Sequence, residues 1–454
     1  MPIAPIENFV STRNACKLCA PLGACLAMRG IEGCIPLIHG SQGCSTYIRR
    51  YGISHFREPI DIASSNFTES SAIFGGRDNL FQALDNITRQ YQPAAIGVAS
   101  TCLSETIGED IRMYLYEYES KRHSKRPVIF HASTPSYRGT HIDGFHEAIR
   151  SVVCSVTKME TAPQKTGGVN IISGFVSAED MREIHSILQS YAVPYTLLPD
   201  YSESLDGGAW DEYRKIAEGG TTLDRIKAMP FADGTLYLGQ GVEPDADAGI
   251  YLQQHFNVPS RCVELPIGIE NTDVFFNALE ELTGKSMPEV QRKNRLRLID
   301  AYFDGHKYCS GKRAVVYGEE DFVTGLASFL DEIGVETVLA ATGAPGRNFE
   351  TRITSVLRNS RLKPQITADT DFVTMLEVCK EMNADFILGN SKGLYLAREL
   401  NVPLVRCGFP IHDRIGGHRI LHLGYRGALN LFERICNTLI EAKQSREKTG
   451  WLYV

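Results

Sequence analysis

Five cysteines, Cys16, Cys19, Cys25, Cys34 and Cys44, crowd into the first 44 residues of the chain; Cys102 follows, and the other six are scattered singly. Three stand in segments suited to holding something. Cys19 lies in CKLCAPLGAC, Cys44 closes HGSQGC, and Cys102 sits in STCLSETIGED, directly after an apolar run that ends at Ser100. All three segments read as turns, in which Pro21, Gly23, Gly40 and Gly43 allow the backbone to come close to a bulky inorganic group. Thiolates are soft ligands that suit iron–sulfur clusters, and nearby backbone N–H groups set a cluster's potential. Free cysteines are more often small buried hydrophobes, and the spacing fits neither a four-cysteine ferredoxin run nor a zinc finger. The residues alone therefore suggest a cluster without proving it.

The elements that must position these cysteines follow from periodicity. From about residue 90 onward, short apolar runs end in Gly, Ser, Thr or Asn and lead into helical patterns, the alternation that builds parallel sheets. Strands are predicted at Ala95–Ser100, Val128–His131, Val169–Ser173, Thr235–Gly239, Ala314–Tyr317 and Phe386–Gly389. The clearest helix follows Gly318, where Phe322, Leu326, Phe329, Leu330 and Ile333 recur at helical spacing before Gly334. The polar stretch Glu160–Gly168 and the segment Tyr302–Lys312 are candidate boundaries. The expected fold is α/β: three doubly wound, Rossmann-like parallel-sheet domains over 1–160, 161–305 and 306–454, with the cysteine-rich segment as an N-terminal addition. Ligands of such sheets sit beyond the carboxyl ends of the strands.

Composition narrows the function. A net charge of −7 leaves no basic footprint for nucleic acid, and no apolar stretch is long enough to span a bilayer. The first residues lack a basic start followed by an apolar core, so cytoplasmic localisation is expected, where thiols stay reduced. No complete P-loop occurs: the nearest fragment, Gly284–Ser286, has Leu279 where the motif needs glycine. Any ATP hydrolysis is expected in a separate protein. His412, His418 and His422 invite a metal assignment, but no third ligand or glutamate base accompanies the last two, and polar loop or interface roles are expected.

The ordered segments CKLCAPLGACLA, PLIHGSQGCSTYIRRY, SHFREPIDIASS, IFGGRDNL, STCLSETIGED and STPSYRGTH resemble the beta-type subunits of nitrogenase component 1 and their relatives. EGGTT near Gly219, VVYGEEDFVTGLASFL, FILGNSKG and VRCGFPIHDRIGGHR extend the resemblance over nearly the whole chain. It implies that Cys19, Cys44 and Cys102 are the beta-side thiolates of an [8Fe-7S] P-cluster shared with an alpha-type subunit in an alpha2beta2 heterotetramer, a [4Fe-4S] cluster being the alternative. Ser136 in STPSYRG matches a serine that ligates iron when that cluster is oxidised, although an ordinary turn hydroxyl explains it equally well. Cys16, Cys25 and Cys34 have no such counterpart. The resemblance also implies an ATP-hydrolysing iron protein that delivers electrons, and a catalytic cofactor anchored in the alpha-type partner, because Gly239, Gln240 and Gly241 stand where an alpha chain would place its anchoring cysteine.

Three family readings follow. A short approach to Cys19, unlike the long extension of molybdenum-type beta subunits, together with LPDYSESLDGG at Leu198–Gly208, resembles the beta-type chain of the cofactor-assembly scaffold. The complete cysteine trio on a short framework resembles nitrogenase-like methylthio-alkane reductases, so reductive carbon–sulfur cleavage is the expected activity. The scaffold and dinitrogen reduction are the alternatives.

Overall fold

A computed structural model describes residues 16–121, 127–157, 165 and 167–446. Its strands form three sheets, each parallel throughout. The first has the order β2-β1-β3-β4, from β1 (Cys34–His39), β2 (Ala63–Ser64), β3 (Ala95–Ser100) and β4 (Val128–Ala132). The second runs β6-β5-β7-β8, from β5 (Val169–Ile172), β6 (Tyr195–Leu198), β7 (Gly234–Leu238) and β8 (Ser260–Val263). The third runs β11-β10-β9-β12-β13, from β9 (Arg313–Gly318), β10 (Glu336–Thr342), β11 (Gln365–Thr367), β12 (Phe386–Gly389) and β13 (Leu404–Arg406). Every residue of β1, β3, β5, β7 and β12 is buried, as continuous apolar strands covered by helices on both faces must be. One apolar core runs through all three layers, joining Ile38, Leu236 and Val316.

All six strands expected from the sequence are present within a residue or two of their bounds, and the helix after Gly318 spans Glu320–Glu332. The alternation begins earlier than residue 90, however. The strand CIPLIH contains Pro36, which argues against a central position, yet β2 pairs only with Leu37 and Ile38, so one side of Pro36 has no partner strand to feed. The cysteine-rich segment is thus built into the first sheet. Part of the polar stretch at 160–168 lies outside the described residues; the helix Glu289–Cys309 runs through most of the segment expected as a second boundary.

The layers are joined by buried polar contacts. Asp206 accepts from His418 Nε2 at 3.1 Å and from Arg419 Nη2 at 2.7 Å. Asp180 accepts from the His422 backbone N–H at 2.6 Å and lies 2.8 Å from its Nδ1. The two late histidines are therefore interface residues, on a loop and a short 3-10 turn rather than one helical face, while His412 is exposed.

Candidate metal centre

The three expected ligands each stand at the start of a helix, not in free turns. Cys19 is the N-cap of Ala20–Arg29, Cys44 lies in the first turn of Gln42–Phe56, and Cys102 opens the short helix Cys102–Thr106. Helix N-termini present unpaired N–H groups and a partial positive charge, which favour a thiolate. All three cysteines are exposed, whereas Cys16, Cys25 and Cys34 are buried. Burial pushes the thiols of Cys16 and Cys34 up to about 12, as expected of inert core residues.

The first sheet brings two of the loops together. His39 and Ser100 pair at the ends of adjacent strands β1 and β3, so the loops carrying Cys44 and Cys102 leave side by side. They touch: a Cβ at Gly40 would lie 2.3 Å from Thr101 Oγ1, which donates to the His39 carbonyl at 3.1 Å. Thr101 and Ser104 form a capping box, and Glu105 accepts from Ser100 Oγ at 2.5 Å and Ser133 Oγ at 2.6 Å, which fixes the turn under Cys102. Beside Cys44, a Cβ at Gly43 would meet nothing nearer than Ser41 Oγ at 3.8 Å, so the backbone there faces open space.

Cys19 is held by a helix pair that cannot slide. A Cβ on Gly23 would fall 1.6 Å from the His141 carbonyl oxygen, and one on Gly144 would fall 1.9 Å from that of Ala20. The helices Ala20–Arg29 and His141–Val156 therefore meet backbone to backbone. Ser136 links this unit to Cys102: its Oγ accepts from the Ala20 N–H at 3.1 Å, and its own N–H donates to Cys102 Sγ at 3.2 Å. The Cys19 thiol is pushed up, first by desolvation and further by the sulfurs of Cys44 and Cys102, against the lowering effect of the Leu22 N–H. Among the described residues, no three Cys, His, Asp or Glu side chains converge on a single ion. The trio suits a multi-iron group whose separate irons each take one thiolate.

A second place to look is where the carboxyl ends of the three sheets meet, around Cys16, His141, Gly241, Glu319, Asp321 and Arg347. It is filled by the protein. Asp321 accepts from the N–H groups of Gln240 at 3.0 Å and Gly241 at 2.9 Å, and from Arg352, which also grips Glu264. The remaining cavity is about 30 Å³, enough for one or two waters and far too small for a large cofactor. The Gly284–Ser286 fragment has no cradle: Gly284 ends a helix in the left-handed region, and Lys285 Nζ donates to the carbonyls of Tyr191 and Ala192 at 2.9 and 2.8 Å.

Comparison with known proteins identifies the family. The family model described as nitrogenase component 1 type oxidoreductase matches residues 19–440. The chain is 37% identical over 447 residues to the nitrogenase molybdenum-iron protein beta chain of Clostridium pasteurianum, covering 98% of this chain and 96% of that one. It is 34% identical over 438 residues to the corresponding beta chain of Methanothermobacter thermautotrophicus, covering 94% of each. A solved nitrogenase Cp1 structure at pH 6.5 superposes with a TM-score of 0.94 at 35% identity, over 100% of this chain and 98% of that one.

Proposed function

The chain belongs to the nitrogenase component 1 type oxidoreductases as a beta-type subunit, and from that premise we propose that it relays electrons through an iron–sulfur cluster shared with an alpha-type partner. The observation that carries the proposal is that Cys19, Cys44 and Cys102 are all exposed, each at a helix start, with Ser136 bonded both to the Cys102 sulfur and to the Ala20 N–H that follows Cys19. An [8Fe-7S] cluster, when bound, supplies one-electron redox chemistry. The chain's own work is positional. It holds three thiolates at fixed spacing, donates the Ser136 N–H to the Cys102 sulfur, and offers Tyr47, Leu103 and Tyr137, exposed beside the ligands, as apolar surface for the partner to cover. In this reading Ser136 is a standby oxygen ligand, and the complex is an alpha2beta2 heterotetramer served by an ATP-hydrolysing iron protein. The packed junction around Asp321 and Arg352 supports locating the substrate-reducing cofactor in the alpha-type partner.

For the substrate, identity over nearly full length to molybdenum-iron beta chains favours dinitrogen reduction. The Clostridium chain is covered over 96% of its length, so the distance ahead of Cys19 does not separate this chain from molybdenum-type subunits. Carbon–sulfur cleavage of methylthio-alkanes, the activity expected from the sequence, is the second reading; the complete cysteine trio, which both readings need, speaks only against the scaffold. Iron analysis and EPR of the anaerobically purified complex test the cluster: eight irons per interface, lost in Cys44→Ala, are expected. A four-iron cluster would favour the assembly-scaffold role, and full iron content in the variant would refute ligation by Cys44. Ethylene, ammonia and methane release then separate the substrate readings.

A further inference from the structure

Far from the ligand face, two more cysteines meet. Cys309 is the last residue of the helix Glu289–Cys309, and Cys436 lies within the C-terminal helix Gly424–Arg446 that packs along it. The helices come close because Gly305 has no side chain; a Cβ there would lie 2.6 Å from the Phe432 ring and 3.3 Å from Cys436 Sγ. Both thiols reach the same acceptor, the Gly305 carbonyl oxygen, at 3.9 Å from Cys309 and 3.8 Å from Cys436. We propose that Cys309 and Cys436 form a redox-active dithiol that peroxide converts to a disulfide, bolting the C-terminal helix to the one that leads into the third sheet.

Two features support this beyond proximity. The interaction of the two neighbouring thiols lowers Cys309 and raises Cys436, so the pair holds one better nucleophile and one proton donor. Cys309 is followed by Ser310 and Gly311, and Gly311 has φ +75° with open space around it, so the backbone beyond the sulfur has room to adjust to disulfide geometry. Both thiols are buried, and a cleft of about 400 Å³ lined by Lys307, Tyr308, Leu439, Ile440 and Lys443 opens between the same helices without either sulfur lining it. In the first step the Cys309 thiolate attacks a peroxide oxygen and the O–O bond breaks. The departing hydroxide takes up the proton as water, leaving a sulfenic acid. Cys436 sulfur then attacks Cys309 sulfur, the S–O bond breaks, and a second water leaves with the Cys436 proton. Two thiols and one hydrogen peroxide give one disulfide and two waters.

The test uses the intact complex, exposed anaerobically to a few equivalents of hydrogen peroxide, blocked with N-ethylmaleimide and digested without reductant. Mass spectrometry is expected to find a Cys309–Cys436 peptide pair two hydrogens lighter than its parts, released by dithiothreitol. In Cys436→Ser the pair should vanish; Cys309 should then be recovered as a singly modified peptide, and the converse should hold in Cys309→Ser. Separate alkylation of both peptides in the treated wild type would overturn the proposal. So would over-oxidation of either without a link, or reaction confined to the partly exposed Cys154 and the exposed Cys262. Because the readout is peptide mapping, its failure leaves the cluster reading untouched.

Discussion

At the residue scale, Ser136 is the most informative side chain. It serves two cysteines at once, accepting from the backbone behind Cys19 and donating its N–H to the sulfur of Cys102. Replacing it with alanine keeps the N–H but removes the oxygen, so the reduced cluster should persist while oxidised forms change; the comparison is EPR of Ser136→Ala at poised potentials. An unchanged oxidised spectrum would leave the hydroxyl with a turn role alone. Cys19 carries a pH consequence. Its thiol is raised by desolvation and by its sulfur neighbours, and ligation requires loss of that proton. Cluster loading should therefore strengthen as pH rises, checked by iron retention against a chelator between pH 6.5 and 8.5. The types of these residues were readable in the sequence. Their helical settings were not, because a single-turn helix such as Cys102–Thr106 has too few residues for periodicity; the Thr101–Ser104 capping pattern was the signal available.

At the element scale, the pair of helices Ala20–Arg29 and His141–Val156 decides where Cys19 stands. The first is buried along its whole length, and neither backbone has room for a methyl group at the crossing. Gly144→Ala should destabilise the chain by about 2 kcal/mol or more through overpacking, with loss of iron out of proportion to the loss of stability. Denaturant midpoints beside iron content measure both, and equal melting would refute backbone contact at this crossing. Sequence reasoning saw Gly23 as a place for a cluster to approach, and the structure gives that space to another helix. β3, β4, β5, β7, β9 and β12 were legible as apolar runs, the seven-residue β10 was passed over, and β11 and β13, with three residues each at the sheet edges, were too short for alternation to register.

At the scale of the whole molecule, three layers depend on buried polar joints. Burial pushes the Asp206 carboxyl up, but hydrogen bonds from Arg419 and Arg182 and the adjacent charges outweigh it and hold it below the usual carboxylate range. Asp206→Ala would strand His418 and both arginines, at a cost of about 3 kcal/mol, visible as a lower urea midpoint. Acid should act earlier than on that carboxylate. Burial lowers His55 to about 3 and His131 and His146 to about 4. Each is neutral when folded and gains its proton near 6.5 when unfolded, so the stability it contributes is complete above pH 6.5 and lost as pH falls toward 4, by at most about 3 kcal/mol apiece. Among the described residues, neither ring nitrogen of His131 has a protein partner, so His131→Leu should flatten the stability profile between pH 6.5 and 4.5; an unaltered slope would exclude it. That the chain makes three sheets was legible because parallel strands leave repeated apolar runs; the joints were not, since single polar residues distant in sequence carry them. The segment from Cys16 to Cys19 gives these joints a mechanical meaning. Its first residue packs against the backbone at Gly343, where a Cβ would fall 2.4 Å from it, and Lys17 pairs with Asp369 at 2.7 Å, both in the third layer. Its far end is clamped to the first layer through Leu18 and His141, 3.0 Å apart from N–H to carbonyl. Cys19 therefore sits on a short tether fixed to the third layer at one end and to the first at the other, so any shift of one layer against the other would reach its sulfur as tension.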